Sequence, residues 1–153
     1  LSTSLAEANA NEIIERHLGD RFTALEDVVG GDALSYVGPI YPFVADWVKY
    51  GLEKLENRRR SLFVLLETVG GYIESAERIA NIFRHHYKRV EFIVPSYAMS
   101  AGTVLVMSGD AIHMDYSSVL GPIDPQIQRD QNQPFIPALG YVEKFNELVE
   151  KSQ

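Results

Sequence analysis

The 153-residue chain contains no cysteine. That excludes a disulfide framework, a thiolate metal site and a cysteine nucleophile, and leaves the chemistry to oxygen, nitrogen and backbone groups. Positive charge is scarce as well: 14 Lys and Arg stand against 21 Asp and Glu, a net charge of −7. No general field draws such a chain to nucleic acid or anionic lipid, and the one basic run, Arg58-Arg59-Arg60, is short. No stretch approaches the roughly 20 apolar residues that span a bilayer, and no basic segment followed by an apolar one opens the chain. These absences predict no nucleic-acid partner, no transmembrane segment in this chain, and a cytoplasmic location, free or peripheral to a membrane. With 46% hydrophobic and 23% charged residues, the chain can bury about two thirds of its unfolded surface as one globular domain. It begins with Leu and ends in a helical pattern, which predicts a fragment of a longer protein.

Periodicity then orders the elements. Apolar positions over 4–18 predict a loosely amphipathic helix that Gly19 can stop, followed by an acidic connector over 25–32. Residues 33–37 read as a strand closed by Gly38-Pro39. A helix over 43–57 carries Val44, Trp47, Val48, Leu52 and Leu55 on one stripe. The uninterrupted run Leu62-Phe63-Val64-Leu65-Leu66 has the form of a strand buried on both faces, with a buried helix as the other reading. Helical spacing resumes after Gly70-Gly71 with Ile73, Ala76, Ile79, Ala80 and Phe83, and a further strand spans 90–94. Residues 100–107 form a small apolar helix, and 111–114 a short strand. Strands alternating with helices predict right-handed crossovers and a mainly parallel sheet, hence an α/β fold. The segment 121–137 is a long proline-containing loop, and 141–151 a closing helix with Val142, Phe145, Leu148 and Val149 inward. The expected organisation is one domain over 1–153: helix and connector 1–31, α/β core 32–120, loop 121–137 and terminal helix 138–153.

Two features carry chemistry. Gly70-Gly71 after a buried strand frees backbone N–H groups at a helix start, where an anion is favoured. Ser100, between small residues at the next strand-to-helix turn, can expose its hydroxyl with little steric cover. Each has a plainer reading: a glycine turn or phosphate site for the first, an N-cap or tight packing position for the second. Together they describe a nucleophile and an oxyanion hole.

The conjunction resembles the Clp protease proteolytic subunit and signal peptide peptidase A group, within the crotonase-like fold of stacked β-β-α units. It is most similar to the serine dehydrogenase proteinase family, which shares the string Met99-Ser100-Ala101-Gly102-Thr103 and the downstream Gly-Pro-Ile-Asp-Pro-Gln of residues 121–126. The similarity runs over about 62–144. The resemblance implies that Ser100 attacks a peptide carbonyl and that Gly71, with Gly70 before it, and Ala101 lend N–H groups to the oxyanion. It also implies a peptide or protein substrate, a homo-oligomer and a bacterial source. Val69 stands where Clp-type proteases have proline before the glycine pair, and Asp124 stands roughly where they have their histidine base. A carboxylate near its reference pKa of about 4 is a poor base for a serine hydroxyl unless burial raises it.

Other bases come from this chain. His85 and His86 end a helix beside Lys88-Arg89, and His17 lies far upstream. His113, with Asp115 two residues on, offers a triad reading beside a structural one, both side chains sharing a strand face. The resemblance to Ser-Lys peptidases points instead to Lys144, rather than Lys151, as the base; a solvated helix face is its plainer role. Asp110, Asp115 and Asp124 are spread along separate elements and no His-x₃-His pair occurs, so neither metal nor other cofactor is expected. The reading is a serine endopeptidase with a Ser100-Lys144 dyad; the alternatives are a crotonase-like enzyme binding an acyl thioester and an inactive assembly scaffold of the same fold.

Overall fold

The computed structural model describes residues 2–123, 126–127 and 136–137. Its elements run α1 (Ser2–Val29), β1 (Asp32–Val37), α2 (Val44–Lys54), β2 (Ser61–Glu67), α3 (Ile73–His86), β3 (Arg89–Val94), β4 (Tyr97–Ala98), α4 (Ala101–Met107), β5 (Ala111–Met114), β6 (Val119–Leu120), β7 (Gln126–Ile127) and β8 (Ile136–Pro137). Strands β1, β2, β3 and β5 form one sheet in that order, every neighbouring pair parallel. Each successive pair is joined by a helix, α2, α3 and α4 in turn, as parallel pairing requires. The α/β class and the mainly parallel sheet expected from the alternation are what the chain forms.

Side-chain alternation sorts the sheet into two faces. Leu62, Val64 and Leu66 of β2 and Val90, Phe92 and Val94 of β3 join one core with Val48 and Leu52 of α2, Ile79 and Phe83 of α3, and Leu105 and Val106 of α4. The intervening residues Phe63, Leu65, Glu91 and Ile93 point the other way. The three crossover helices therefore lie on one face.

A second, smaller layer sits at the C-terminal ends of the strands. There β4 pairs parallel with β6, and isolated parallel bridges join Thr68 to Ala98 and Ile40 to Gly71. Neither short strand has a hydrophobic period to announce it. Two residues on each are too few for alternation to register, and only the pairing defines them. The segment expected to be loop over 121–137 carries the antiparallel pair β7 and β8; the expected helix over 141–151 lies outside the described residues.

Two expectations are corrected. The first helix does not stop at Gly19 but continues to Val29, taking in most of the acidic connector. One exposed glycine costs a helix about 1 kcal/mol relative to alanine, too little to end it. The apolar stripe in fact continues through Ile14, Leu18, Phe22, Leu25 and Val29 at helical spacing. The stop is Gly30, at φ +68° with its N–H on Glu26 O at 2.9 Å, a left-handed C-terminal cap. In α2, Trp47 is not inward: its exposure is 64%, and its ring packs on Phe43 at a centroid distance of 4.6 Å. The buried face is Val44, Ala45, Val48 and Leu52, and Trp47 and Leu55 lie off it. Among the described residues no helix is long and apolar enough to cross a membrane.

One buried carboxylate ties the base of the sheet together. Asp32, at the start of β1, accepts the Tyr87 hydroxyl at 2.8 Å and the Arg59 backbone N–H at 3.1 Å. Burial, then the Asp32 contact, pushes the Tyr87 phenol well above its usual range, so it stays a donor. Tyr87→Phe is expected to lower the urea unfolding free energy by about 1.5–3 kcal/mol, the range for a hydrogen bond to a charged group. A midpoint matching wild type would mean that the bond contributes nothing.

Candidate active site

The strand ends carry the site residues. After β2 the chain passes Thr68 and Val69 to Gly70 (φ +97°) and Gly71 (φ +149°), values that glycine alone adopts readily. Space makes the same demand. A Cβ on Gly70 would lie 2.6 Å from Met99 O and 2.8 Å from Ser100 Cβ, and one on Gly71 would lie 2.3 Å from Ile40 O. Gly70 is thus pressed directly against the Met99-Ser100 peptide. Residues 29 apart in sequence are brought together because β2 and β3 are neighbours and both feed turns at the same edge.

Ser100 precedes α4 with φ 52° and ψ −121°, a sparsely populated conformation for a residue with a side chain, of order 1–3 kcal/mol in strain. It occupies the N-cap position, yet its hydroxyl makes no capping hydrogen bond. The plainer reading of this serine as a helix cap is therefore not the role its side chain plays. Ser100 is half-buried, and among the described residues no side chain bonds to its Oγ.

The surrounding N–H groups divide into used and unused. Gly70 N–H goes to Thr68 Oγ1 at 3.0 Å, Tyr72 N–H to Ile40 O at 2.9 Å and Gly102 N–H to Met99 O at 2.8 Å. Gly71 N–H and Ala101 N–H have no acceptor among the described residues. The first belongs to a residue whose neighbours supply both bridge bonds to Ile40, and the second opens α4. These two donors belong to the residues that resemblance assigns to the oxyanion: Ala101 directly follows the serine, and Gly71 follows the glycine packed against it.

Buried hydroxyls hold this arrangement. Thr103 Oγ1 lies 2.8 Å from Ala98 O and 3.0 Å from Gly121 O, joining α4 to β4 and to the residue that follows β6. Thr68 Cγ2 sits 2.2 Å from where a Cβ on Gly102 would be. Neither threonine carries a nucleophile or base signature in the sequence: Thr68 stands two residues before Gly70 at a strand end, and Thr103 directly follows Gly102 in the first turn of α4.

His113 lies elsewhere. It stands opposite Ile93 in register, on the sheet face away from α4. Its Nε2 is 2.6 Å from Glu91 Oε2, and its ring is 6.3 Å from that of Phe63. Asp115 accepts Tyr116 N–H and the Ser117 hydroxyl in a turn, so the His113-Asp115 pairing is not formed. Asp124, Lys144 and Lys151 lie outside the described residues.

Residues 36–147 match the family model of the ClpP-like SDH-type serine proteinases. Two uncharacterized proteins of Methanocaldococcus jannaschii are similar. One is 34% identical over 120 residues, covering 74% of this chain and 40% of its own length. The other is 42% identical over 94 residues, covering 58% and 32%. The chain thus spans about a third to two fifths of these relatives, and their archaeal source lends no support to a bacterial one. Among solved structures, a serine-to-alanine variant of a membrane-bound stomatin-specific protease matches with TM-score 0.60 at 19% identity, over 74% of this chain and 56% of that one. A lysine-to-alanine variant with a bound substrate peptide matches with TM-score 0.60 at 21% identity, over 74% and 53%. At these identities the likeness is one of fold.

The Glu91 cluster yields a pH prediction. The His113 bond foremost, then Arg89, holds the Glu91 carboxyl below its usual 4.5, outweighing the opposing effect of burial. A depressed carboxyl contributes stability that is complete above its unfolded value and lost as pH falls through its folded one. Melting temperature should therefore fall on acidification below about pH 4.5, with a shallower acid limb in Glu91→Gln. Equal acid limbs in the two proteins would rule the cluster out as the source.

Proposed function

This chain belongs to the ClpP-like SDH-type serine proteinase family, and we propose on that premise that it is a serine endopeptidase working through an acyl-enzyme on Ser100. One observation carries the reading: a serine on a strained strand-to-helix turn whose hydroxyl makes no cap, packed against Gly70, with the N–H groups of the next residues, Gly71 and Ala101, unclaimed among the described residues. In this reading Ser100 Oγ attacks the scissile carbonyl and its proton passes to the neutral amine of Lys144. The carbonyl oxygen becomes an oxyanion that the Gly71 and Ala101 N–H groups hold, the kind of electrostatic stabilisation that commonly contributes most to such reactions. The tetrahedral intermediate collapses, the leaving amine takes the proton back from Lys144, and water repeats the sequence to release the acyl group. Lys144 enters from the resemblance alone. The placement of His113 against Glu91, across the sheet from α4, supports a base other than histidine.

The substrate is read as peptide or protein and the working form as a homo-oligomer. Ile13, Ile14 and Leu18, exposed along α1, support an interface there. Asp124 has no step in this scheme.

Peptide mapping after a fluorophosphonate probe, from about pH 6 to 10, tests the reading. Wild type should label at Ser100, at a rate rising with pH as the lysine loses its proton; Ser100→Ala should not label. Lys144→Ala should label at least about a hundredfold more slowly at neutral pH, the range for losing a general base. An unlabelled wild type in its assembled state would overturn the peptidase and turn the reading to thioester binding or a scaffold.

A further inference from the structure

We propose that Thr68 is the positioning residue of the oxyanion site, one side chain that fixes the Gly70-Gly71 turn relative to Ser100. The inference rests on the peptidase reading for its catalytic consequence, and on geometry for the rest. Thr68 follows the end of β2 and is almost wholly inaccessible, at 1% exposure. Its backbone forms the bridge to Ala98, donating to Tyr97 O at 3.2 Å and accepting from Met99 N–H at 3.0 Å. That bridge registers the approach to Gly70 against the approach to Ser100. Its hydroxyl then accepts Gly70 N–H at 3.0 Å across Val69, a side-chain turn that fixes the backbone two residues on. Its methyl fills the space beside Gly102, in the first turn of the helix that Ser100 opens. The same residue therefore touches both halves of the site, one through oxygen and the other through carbon.

The consequence is a division of labour between the two glycine N–H groups. Thr68 Oγ1 claims that of Gly70, leaving that of Gly71 unclaimed among the described residues. Without the acceptor, a buried N–H has no partner and the turn is drawn toward other conformations that the two glycines readily allow. The Gly71 donor would then no longer be held where the oxyanion forms. Misplacement by about 1 Å is enough to cost catalysis up to a hundredfold.

Two substitutions separate the oxygen from the methyl. Thr68→Val keeps the shape and removes the acceptor; Thr68→Ser keeps the acceptor and removes the methyl. Thr68→Val should lower the limiting rate of fluorophosphonate labelling at Ser100 by about 10–100-fold with the half-saturating probe concentration within about twofold, while Thr68→Ser stays within about threefold of wild type. Amide hydrogen exchange gives a readout independent of chemistry: Gly70 N–H should be protected in wild type and Thr68→Ser and exchange at least about tenfold faster in Thr68→Val. Should Thr68→Val fail to fold, the contact with Gly102 serves instead. Gly102→Ala should lose labelling through its collision with the Thr68 methyl, and Thr68→Ser in the same chain should restore it. Labelling of folded Thr68→Val at the wild-type rate, equal losses in both Thr68 variants, or a Gly70 amide unprotected in wild type would each overturn the proposal. A wild type that does not label, but whose Gly70 amide is freed by Thr68→Val, would overturn the peptidase reading and leave the clamp standing.

Discussion

The contact of Gly70 with the Met99-Ser100 peptide is the constraint around which the rest of the molecule is arranged. Met99 O and Ser100 Cβ occupy the space that any side chain at 70 would need, and the serine there is in a conformation that costs energy to hold. Such a turn persists only if its surroundings leave it no alternative. The parallel pairing of β2 with β3 brings the two turns to one edge, and the bridge of Thr68 to Ala98 extends that pairing past the ends of the strands. Thr103 then fastens α4 to Ala98 and Gly121. The serine is therefore held from three sides.

The core serves the same end by rigidity. Residues such as Val64, Phe92, Val94, Phe83 and Val106 are all but inaccessible, and close-packed interiors transmit displacement instead of absorbing it. With α2, α3 and α4 on one face, the opposite face is free for polar work. There Glu91 bonds both His113 and Arg89 on the sheet itself. The histidine that a triad reading would need is engaged there, separated from the serine helix by the thickness of the sheet. A strand's alternation decides this: a shift of one residue would have turned His113 to the other face.

Where pattern and structure part company, the cause is a competing interaction of similar size. Gly19 is a weak breaker in an exposed helix, and Gly30 ends the helix because its φ of +68° is cheap only for glycine. Trp47 matches the apolar period of α2, but Phe43, itself stacked on Tyr41, gives its ring an aromatic partner at the surface. The two-residue strands β4 and β6 have no local signature at all; they exist because Thr68, Ala98 and Leu120 fall into register.

The sequence by itself determined the alternation of strands and helices, the parallel sheet, the glycine pair after β2 and the serine at the head of α4. All are local signals, carried by period and by residues with unusual backbone freedom, and local signals survive without tertiary context. The family likeness implies roles for Gly71, Ser100 and Ala101 that spacing could not suggest. Only the tertiary structure decided that Ser100 caps nothing, that Gly71 and Ala101 N–H stay unclaimed among the described residues while Gly70 N–H is taken, that His113 faces Glu91, and that Thr68 joins both halves of the site. Each of these depends on which atoms meet across segments far apart in the chain, and the meeting is set by strand register and sheet face, which no window of sequence contains.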